Sequence, residues 1–167
     1  MVDAYLGLGS NLGDKRAYLR QALDRLSLVC AVKKVSSLYV TEPVGIKEQN
    51  WFLNAAVHIG CEQPPAELLS LLLAVEHDLG RVRSAKNAPR TIDIDLLFYG
   101  DLVLESEDLA VPHPRLHERR FVLAPLAEIA PDLMHPVLGR SIQELADTLE
   151  SDERVERLAG AWFLGGS

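Results

Sequence analysis

Two aspartates, Asp93 and Asp95, form the pattern in this sequence that is best suited to chemistry. They lie in a segment, residues 91–99, whose apolar and β-branched composition is typical of a strand. On a strand, side chains two positions apart point to the same side, at a backbone separation of roughly 6.6 Å. The two carboxylates then share one face, and their apolar neighbours share the other. Paired carboxylates suit Mg²⁺, which takes oxygen ligands and shares them with substrate phosphates.

Basic residues flank this acidic pair. No acidic residue occurs between Asp78 and Asp93. The interval between them contains the cations Arg81, Arg83, Lys86 and Arg90, and a second basic group contains His113, Arg115, His117, Arg119 and Arg120. Guanidinium groups bind phosphate oxygens in bidentate fashion. The combination predicts a metal and polyphosphate site, whereas the alternative is a solvated basic loop beside a solvated strand edge.

A further predicted strand, residues 52–59, carries Phe52 and Asn54 on one face. Phe52 offers a flat stacking surface, and the amide of Asn54 offers both a donor and an acceptor. Together they suit a planar heterocycle with amide-like edges, and Phe121 could cover its other side. The alternative is that both phenylalanines belong to the hydrophobic core, and for His58 we expect a structural role.

The glycine-rich segment Gly7-Leu-Gly-Ser-Asn-Leu-Gly13 follows a predicted strand and precedes a predicted helix. Its spacing is GxGxxxG, which differs from the GxGxxG fingerprint of dinucleotide-binding proteins. We expect these glycines to permit a tight turn, in which Ser10 and Asn11 bond local backbone amides.

The chain has 167 residues, a formal net charge of −7 and two cysteines, Cys30 and Cys61. Binders of nucleic acid or of membrane surfaces need a basic face, so this charge argues against both. No apolar run approaches the ~20 residues of a membrane span, and no signal peptide is visible. The cysteines lack metal-ligand spacing. We therefore expect a cytoplasmic protein with reduced thiols.

The hydrophobic periodicity predicts an α+β fold of the ferredoxin-like type, β-α-β-β-α-β. The predicted strands cover residues 3–9, 32–40, 52–59 and 91–99, and the predicted helices begin near Asp14 and near Pro65. We expect an antiparallel sheet with these helices on one face, followed by C-terminal helical additions that include a capping box at Ser141 and Glu144. The single domain should span residues 1–150. Residues 151–167 should form a tail with an exposed Trp162-Phe163 pair.

Several motifs carry a resemblance to a known family. They are Lys86-Asn-Ala-Pro-Arg-Thr-Ile-Asp-Ile-Asp-Leu-Leu97, Ala4-Tyr-Leu-Gly-Leu-Gly-Ser-Asn-Leu12, Phe52-Leu-Asn-Ala-Ala56, Gly80-Arg-Val-Arg83, Val111-Pro-His113 and Phe121 through Pro131. Over about residues 3–150 the chain resembles the 6-hydroxymethyl-7,8-dihydropterin pyrophosphokinases.

The resemblance implies a monomeric enzyme that transfers the pyrophosphate of ATP to the pterin hydroxymethyl group and releases AMP, in folate biosynthesis. The implied catalytic residues are Arg81, Arg90 and Asp95, and Asp93 and Asp95 would hold two Mg²⁺ ions. The implied ATP-binding residues are Glu76, Arg83, Lys86, Arg90, Ile94, His113 and Arg119. The implied pterin-binding residues are Thr41, Pro43, Val44, Phe52, Asn54, Asp93 and Phe121.

Two alternatives stay open at this point. A non-catalytic ferredoxin-like module that binds a nucleotide or a peptide would explain the fold and the basic loop, and metal-dependent turnover would exclude it. A magnesium-dependent enzyme with another planar acceptor, such as a purine or a pyrimidine, would share the site residues. Binding of pterins in preference to nucleobases would exclude that second alternative.

Overall fold

The computed structural model describes residues 1–42, 50–81 and 91–163. The strands are β1 (Val2–Ser10), β2 (Ala31–Val35), β3 (Tyr39–Thr41), β4 (Phe52–Cys61), β5 (Asp93–Tyr99), β6 (Leu104–Glu105), β7 (Ala110–Val111) and β8 (Val155–Arg157). The helices are α1 (Lys15–Ser27), α2 (Pro65–Asp78), α3 (Arg120–Ile129) and α4 (Ile142–Thr148), with a 3-10 turn at Leu116–Glu118. The order of the core elements is the predicted β-α-β-β-α-β, except that the second strand is divided into β2 and β3.

The main sheet has the strand order β5-β1-β4-β3-β8, and β2 also pairs with β4. Every pair in it is antiparallel, as predicted. β1 lies between β4 and β5 and pairs with both along most of its length. The strands that carry the predicted site residues, β5, β1 and β4, are therefore neighbours, with β5 at the edge of the sheet.

Helices cover both faces of the sheet. Ala4, Leu6 and Leu8 of β1 are buried against α1 and α2, so these two helices lie on one face, as predicted. α1 begins at Asp14, whose carboxylate accepts a hydrogen bond from Ala17 N at 3.1 Å. The C-terminal helices α3 and α4 pack on the opposite face, in a second core that contains Phe98 of β5.

The predicted strand 32–40 is interrupted between β2 and β3, and Ser36 supplies the reason. Its backbone N–H donates to Ala56 O at 2.9 Å, while its hydroxyl, rather than its carbonyl, accepts from Ala56 N at 2.8 Å. The Ser36 carbonyl accepts instead from Trp162 Nε1 at 2.8 Å. The hydroxyl of Ser36 thus replaces its own carbonyl as the acceptor for β4, and the strand bends there.

The C-terminal segment is part of the sheet. β8 pairs with β3, and the side chain of Trp162 is only 5% exposed. The expectation of an exposed pair is therefore wrong for Trp162, because its indole is buried against the interruption between β2 and β3. Within the described ranges, every helix is too short or too polar to traverse a lipid bilayer.

Candidate active site

The register of β4, β1 and the edge strand β5 gathers the predicted site residues in rows. Gly9 of β1 lies opposite Asn54 of β4 on one side and Asp93 of β5 on the other. In the adjacent row, Gly7 lies opposite Ala56 and Asp95. These positions face α3, and together they line what we call the central pocket. Its lining includes Gly7, Gly9, Asn54, Asp93, Asp95, Phe121, Val122 and Pro125.

The two glycines of β1 form the floor of the central pocket. A Cβ atom at Gly9 would lie 2.6 Å from Asn54 Oδ1 and 3.4 Å from Phe52 Cδ1, closer to the amide oxygen than packing allows. Gly7 and Gly9 lie in β1, as the predicted strand 3–9 requires, so the expectation that the glycines of this segment permit a tight turn is wrong for these two. The turn falls later, at Gly13, where φ is +73°.

The predicted turn contacts of Ser10 and Asn11 also differ from expectation. Ser10 is the last residue of β1, and its hydroxyl is buried without a hydrogen-bond partner in the described part of the chain. Asn11 Nδ2 donates to Asn50 O at 3.2 Å, across 39 positions of sequence. The glycine-rich segment thus connects β1 to the residues that precede β4.

The acidic pair lies at the start of β5. Asp93 and Asp95 are half-buried on the pocket face, whereas Ile94 is 5% exposed on the other face, as predicted. Arg81 Nη1 donates to Asp93 Oδ1 at 2.8 Å and to Glu76 Oε2 at 2.9 Å. Burial alone would lower the pKa of Arg81, but Asp93 and Glu76 raise it above its ordinary value. The guanidinium is therefore held as a cation beside the first carboxylate.

Glu76 of α2 lies behind this cation, and its side chain is almost completely buried. Besides the bond from Arg81, its Oε2 atom accepts from the backbone N–H of Ile94 at 2.7 Å. Glu76 therefore fixes both Arg81 and the backbone between the two aspartates. The apolar side chain of Ile94 belongs to the core, so only its backbone could reach a nucleotide.

The side-chain amide of Asn54, on β4, has a fixed orientation at the opposite end of the row from Asp93. Asn54 and Thr41 are 8% and 2% exposed, and Asn54 Nδ2 donates to Thr41 Oγ1. This bond orients the amide with its oxygen toward Gly9. Phe52 is half-buried beside it. The predicted ring-binding pair of β4 therefore lies together, on the same side of the sheet as Phe121.

Two basic residues, Arg119 and His113, lie near the acidic pair, in the segment that leads into α3. Arg119 Cζ lies 5.5 Å from the centre of the Phe121 ring. Burial lowers the pKa of Arg119, and the nearby Asp95 and Asp93 partly offset this effect. Arg119 remains charged all the same, because guanidinium groups keep their proton in proteins. It adds a cation on the α3 side of the carboxylates.

His113 is held near β5, since its backbone N–H donates to Leu97 O at 2.9 Å. Burial lowers the pKa of His113 to about 4, and the neighbouring Arg119 and Arg115 add to this effect. The ring is therefore neutral at pH 7. Its Nδ1 atom accepts from Arg115 N at 3.2 Å, which assigns the proton to Nε2 and makes that atom a donor suited to a phosphate oxygen.

The predicted residues Pro43, Val44, Arg83, Lys86 and Arg90 lie outside the described residues. Gly9 and Glu153 are parts of the site that the sequence did not reveal. Glu153 accepts from the backbone N–H of Arg120, the first residue of α3, at 3.2 Å. No motif signals this contact. The close approach at Gly9 could have been suspected only from the strand register.

The donor set of Asp93 and Asp95 fits Mg²⁺. Two carboxylates on one strand face, next to a pocket, leave coordination positions for phosphate oxygens and water, which is how Mg²⁺ usually binds at phosphate-transfer sites. Over residues 1–42, 50–81 and 91–163, no group of three or more His, Cys, Asp and Glu side chains could hold a metal without further ligands.

The fold and the site define a ferredoxin-like α+β protein in which an acidic pair, nearby cations, an oriented amide and Phe121 lie around one pocket. The sequence model of 7,8-dihydro-6-hydroxymethylpterin-pyrophosphokinase (HPPK) matches residues 5–131. The chain belongs to this family.

Two relatives are named 2-amino-4-hydroxy-6-hydroxymethyldihydropteridine pyrophosphokinase. The Bacillus subtilis protein is 45% identical over 157 residues, which cover 93% of this chain and 89% of the relative. The Methylorubrum extorquens protein is 47% identical over 160 residues, which cover 93% and 100%. The crystal structure of wild-type Plasmodium falciparum HPPK-DHPS has the same fold, with a TM-score of 0.69 at 18% identity. The match covers 87% of this chain but only 44% of that one.

Proposed function

We propose that this protein transfers the pyrophosphate of Mg-ATP to the hydroxymethyl group of 6-hydroxymethyl-7,8-dihydropterin and releases AMP, in folate biosynthesis. The observation that carries the proposal is the row Asp93–Gly9–Asn54 across the adjacent strands β5, β1 and β4. A single pocket joins carboxylates suited to a metal and phosphates with an amide suited to a heterocycle. Family membership supports the same reaction.

The ATP triphosphate would lie over the start of β5. Asp93 and Asp95 would hold two Mg²⁺ ions, which neutralise phosphate charge when bound. Arg81 donates to Asp93 and Arg119 lies near Asp95, and Arg83, Lys86 and Arg90 would add further cations. The Nε2–H of neutral His113 would donate to a phosphate oxygen, and the backbone of Ile94 would contact the nucleotide.

The pterin ring would lie between Phe52 and Phe121, with its amide-like edge against Asn54. The bond from Asn54 to Thr41 fixes which amide atom faces the ring, so recognition of the pterin edge would be oriented in advance. Backbone groups of Pro43 and Val44 would complete the contacts. The pterin hydroxyl would then lie toward Asp95, in line with the β-phosphorus.

Transfer of this kind depends mainly on positioning and on neutralisation of charge, and it requires no covalent intermediate with the protein. The side chains of the central pocket agree with this, because they provide carboxylates and an amide, and the nearby Arg81 and Arg119 provide cations. Arg81 and Arg90 would stabilise charge that develops on the transferred group. Asp95, which is closest in register to Gly7 and the pocket floor, would orient the reacting oxygen.

A product assay tests the proposal. The protein would be mixed with Mg²⁺, ATP and 6-hydroxymethyl-7,8-dihydropterin, and AMP and ADP would be quantified. We expect pterin-dependent AMP, and a fall of roughly 100-fold or more in Asp95→Asn, because charge stabilisation of this type contributes about that factor. The exposed Asp101, in the turn after β5, provides a matched Asp101→Asn control that should retain activity.

The alternative outcomes are informative. Formation of ADP would mean ordinary phosphoryl transfer, and AMP formed equally well with a purine or pyrimidine alcohol would mean a different acceptor. Absence of turnover in folded protein would favour a binding module. Loss of AMP formation on chelation by EDTA, restored by Mg²⁺, is expected. We also propose a cytoplasmic monomer, which sedimentation of the purified protein and cell fractionation would test.

A further inference from the structure

The segment after α4 contacts the pterin side of the site through β3. Val155 of β8 pairs with Thr41, the residue that fixes the amide of Asn54. The pairing continues beyond the strand, because Glu42 N donates to Arg154 O at 3.1 Å and Arg154 N donates to Glu42 Oε1 at 3.1 Å. The end of β3 is thus held by hydrogen bonds from β4 on one side and from the C-terminal segment on the other.

The same segment contacts the opposite wall of the pocket through α3. The N-cap residue of α3, Arg119, makes no capping bond with its side chain. Glu153 takes this role from 33 positions away, since its Oε2 atom accepts from Arg120 N at 3.2 Å. A carboxylate at this position satisfies one of the unpaired N–H groups of the first turn and interacts favourably with the helix dipole. The next residue in that turn is Phe121.

The far end of the segment is anchored in the body of the protein. Leu158 N donates to Leu38 O at 2.8 Å, and the buried Trp162 donates to Ser36 O at 2.8 Å. Arg157 Nη2 donates at 3.3 Å to Glu128 of α3, which also accepts from Tyr39 OH at 2.7 Å. Hydrogen bonds therefore join the intervening residues to both β3 and α3.

We propose that residues 151–157, which we call the C-terminal brace, position the pterin site by joining its two walls, with Glu153 as the positioning residue. This inference rests on the proposed function. One wall carries Thr41 and Asn54, and the other carries Phe121. The brace links them outside the pocket and sets the gap into which the ring must fit. It lies beyond the family match, which ends at residue 131.

Three substitutions of Glu153 separate the hydrogen bond from the charge. Glu153→Gln keeps the length and an acceptor oxygen, Glu153→Asp keeps the charge but shortens the side chain, and Glu153→Ala removes both. The neighbouring Asp152 is exposed, so Asp152→Asn is the matched control for a lost charge. The measurements are the pterin Kd in the presence of a non-hydrolysable Mg-ATP analogue, hydrogen exchange of residues 119–123, and Tm.

We expect Glu153→Ala and Glu153→Asp to weaken pterin binding roughly five-fold, which is the effect of a typical lost helix cap. Exchange at the start of α3 should rise in parallel, with the protein still folded at the assay temperature. Glu153→Gln should restore both values to within about two-fold, and Asp152→Asn should match the wild type. If Glu153→Ala does not fold, Glu153→Asp gives the same comparison.

A lower Tm with an unchanged pterin Kd would overturn the proposal, because the brace would then be purely structural. Binding retained by Glu153→Asp and lost by Glu153→Gln would overturn it as well, since charge and not the cap would matter. Failure of the wild type to bind the pterin would instead overturn the proposed function itself. The two failures are therefore distinguishable.

Discussion

Single residues set the geometry of the central pocket by what they lack as well as by what they carry. Gly9 leaves room for the amide oxygen of Asn54, and Gly7 leaves the floor open beside Asp95. Asn54 in turn is oriented by Thr41. The close placement of Asn54 and Asp93 on either side of Gly9 therefore depends on the absence of a side chain at Gly9.

Gly9→Ala should displace Asn54. Its Cβ atom would lie 2.6 Å from Asn54 Oδ1, so the amide must move or the strands must separate. Overpacking of this kind costs about 1–3 kcal/mol. We expect a Tm lower by several degrees, a shifted NMR signal of the Asn54 side-chain amide and pterin binding weakened about ten-fold or more.

Gly7→Ala is the control variant for Gly9→Ala in the measurements of Tm and of the Asn54 side-chain amide signal. A Cβ atom there would approach only the side chain of Leu97, at 3.6 Å, which is ordinary packing distance. We expect the Asn54 signal to stay near its wild-type position in this variant. Equal shifts of that signal in both variants would contradict the proposed role of Gly9.

The grouping of the candidate site residues could be predicted in part from the sequence. The faces of Asp93 and Asp95 and the grouping of Asn54 with Phe52 follow from the two-residue period of a strand. The role of Gly9 did not follow, because it depends on which residue of β4 lies opposite, and register is a property of paired strands. The buried position of Glu76 behind Arg81 likewise required the packing of α2 on β5.

At the scale of elements, the chain is interrupted between β2 and β3, and both of these strands pair with the same edge of β4. Ser36 is 2% exposed and supplies a hydroxyl acceptor for Ala56 N at the point where the strand bends. Its carbonyl, turned away from β4, accepts from Trp162. At the bend, the Ser36 hydroxyl therefore keeps the hydrogen bond to β4, and the Ser36 carbonyl is free to bind Trp162 of the C-terminal segment.

Ser36→Ala should destabilise the protein. It would leave the buried N–H of Ala56 without its acceptor, which costs about 1–3 kcal/mol. We expect a clear decrease in the free energy of unfolding in urea. Ser70→Ala is the matched control, because Ser70 lies on α2, is exposed and donates only to the carbonyl of its own helix. A similar small change in both variants would show that the Ser36 hydroxyl does not support the bend.

The elements that the sequence predicted well are the long ones with strong periodicity. α1 has four fully buried residues at helical spacing, and β1 alternates along its length. β8 has three residues, two of them charged, and carries no comparable pattern. Its position depends on contacts more than 100 residues apart in sequence, such as Arg154 with Glu42 and Trp162 with Ser36. Local pattern cannot reveal such contacts.

At the scale of the whole molecule, the sheet separates two cores, and the candidate active site lies on the side of the C-terminal core. Its α3 and α4 pack on Phe98 and Leu97 of β5. The loop between these helices is joined to that core by His135, which is 5% exposed and packs edge-on against Phe98 at 5.6 Å between ring centres. The stability of the site side should therefore depend on the state of this imidazole.

His135 should make the protein less stable as the pH falls below about 6.5, the ordinary pKa of histidine. Its Nδ1 atom accepts from Val137 N at 3.2 Å and from Leu138 N at 3.1 Å, and a proton on Nδ1 would break both bonds. Burial, with a smaller effect of His117, lowers the pKa of His135 in the folded protein. The unfolded chain therefore binds a proton at a higher pH than the folded chain does, and stability is lost as the pH decreases.

His135→Asn tests this dependence, because an amide oxygen can accept in place of Nδ1 and does not titrate. Tm would be measured from pH 7.5 to pH 5 for both proteins. We expect the variant to have the lower Tm at pH 7.5, because it loses the contact with Phe98, but to lose less Tm as the pH falls. His113, whose pKa is lowered to about 4, contributes with the same sign to both proteins and cancels in the comparison. Parallel curves would mean that His135 does not link pH to the stability of the C-terminal core.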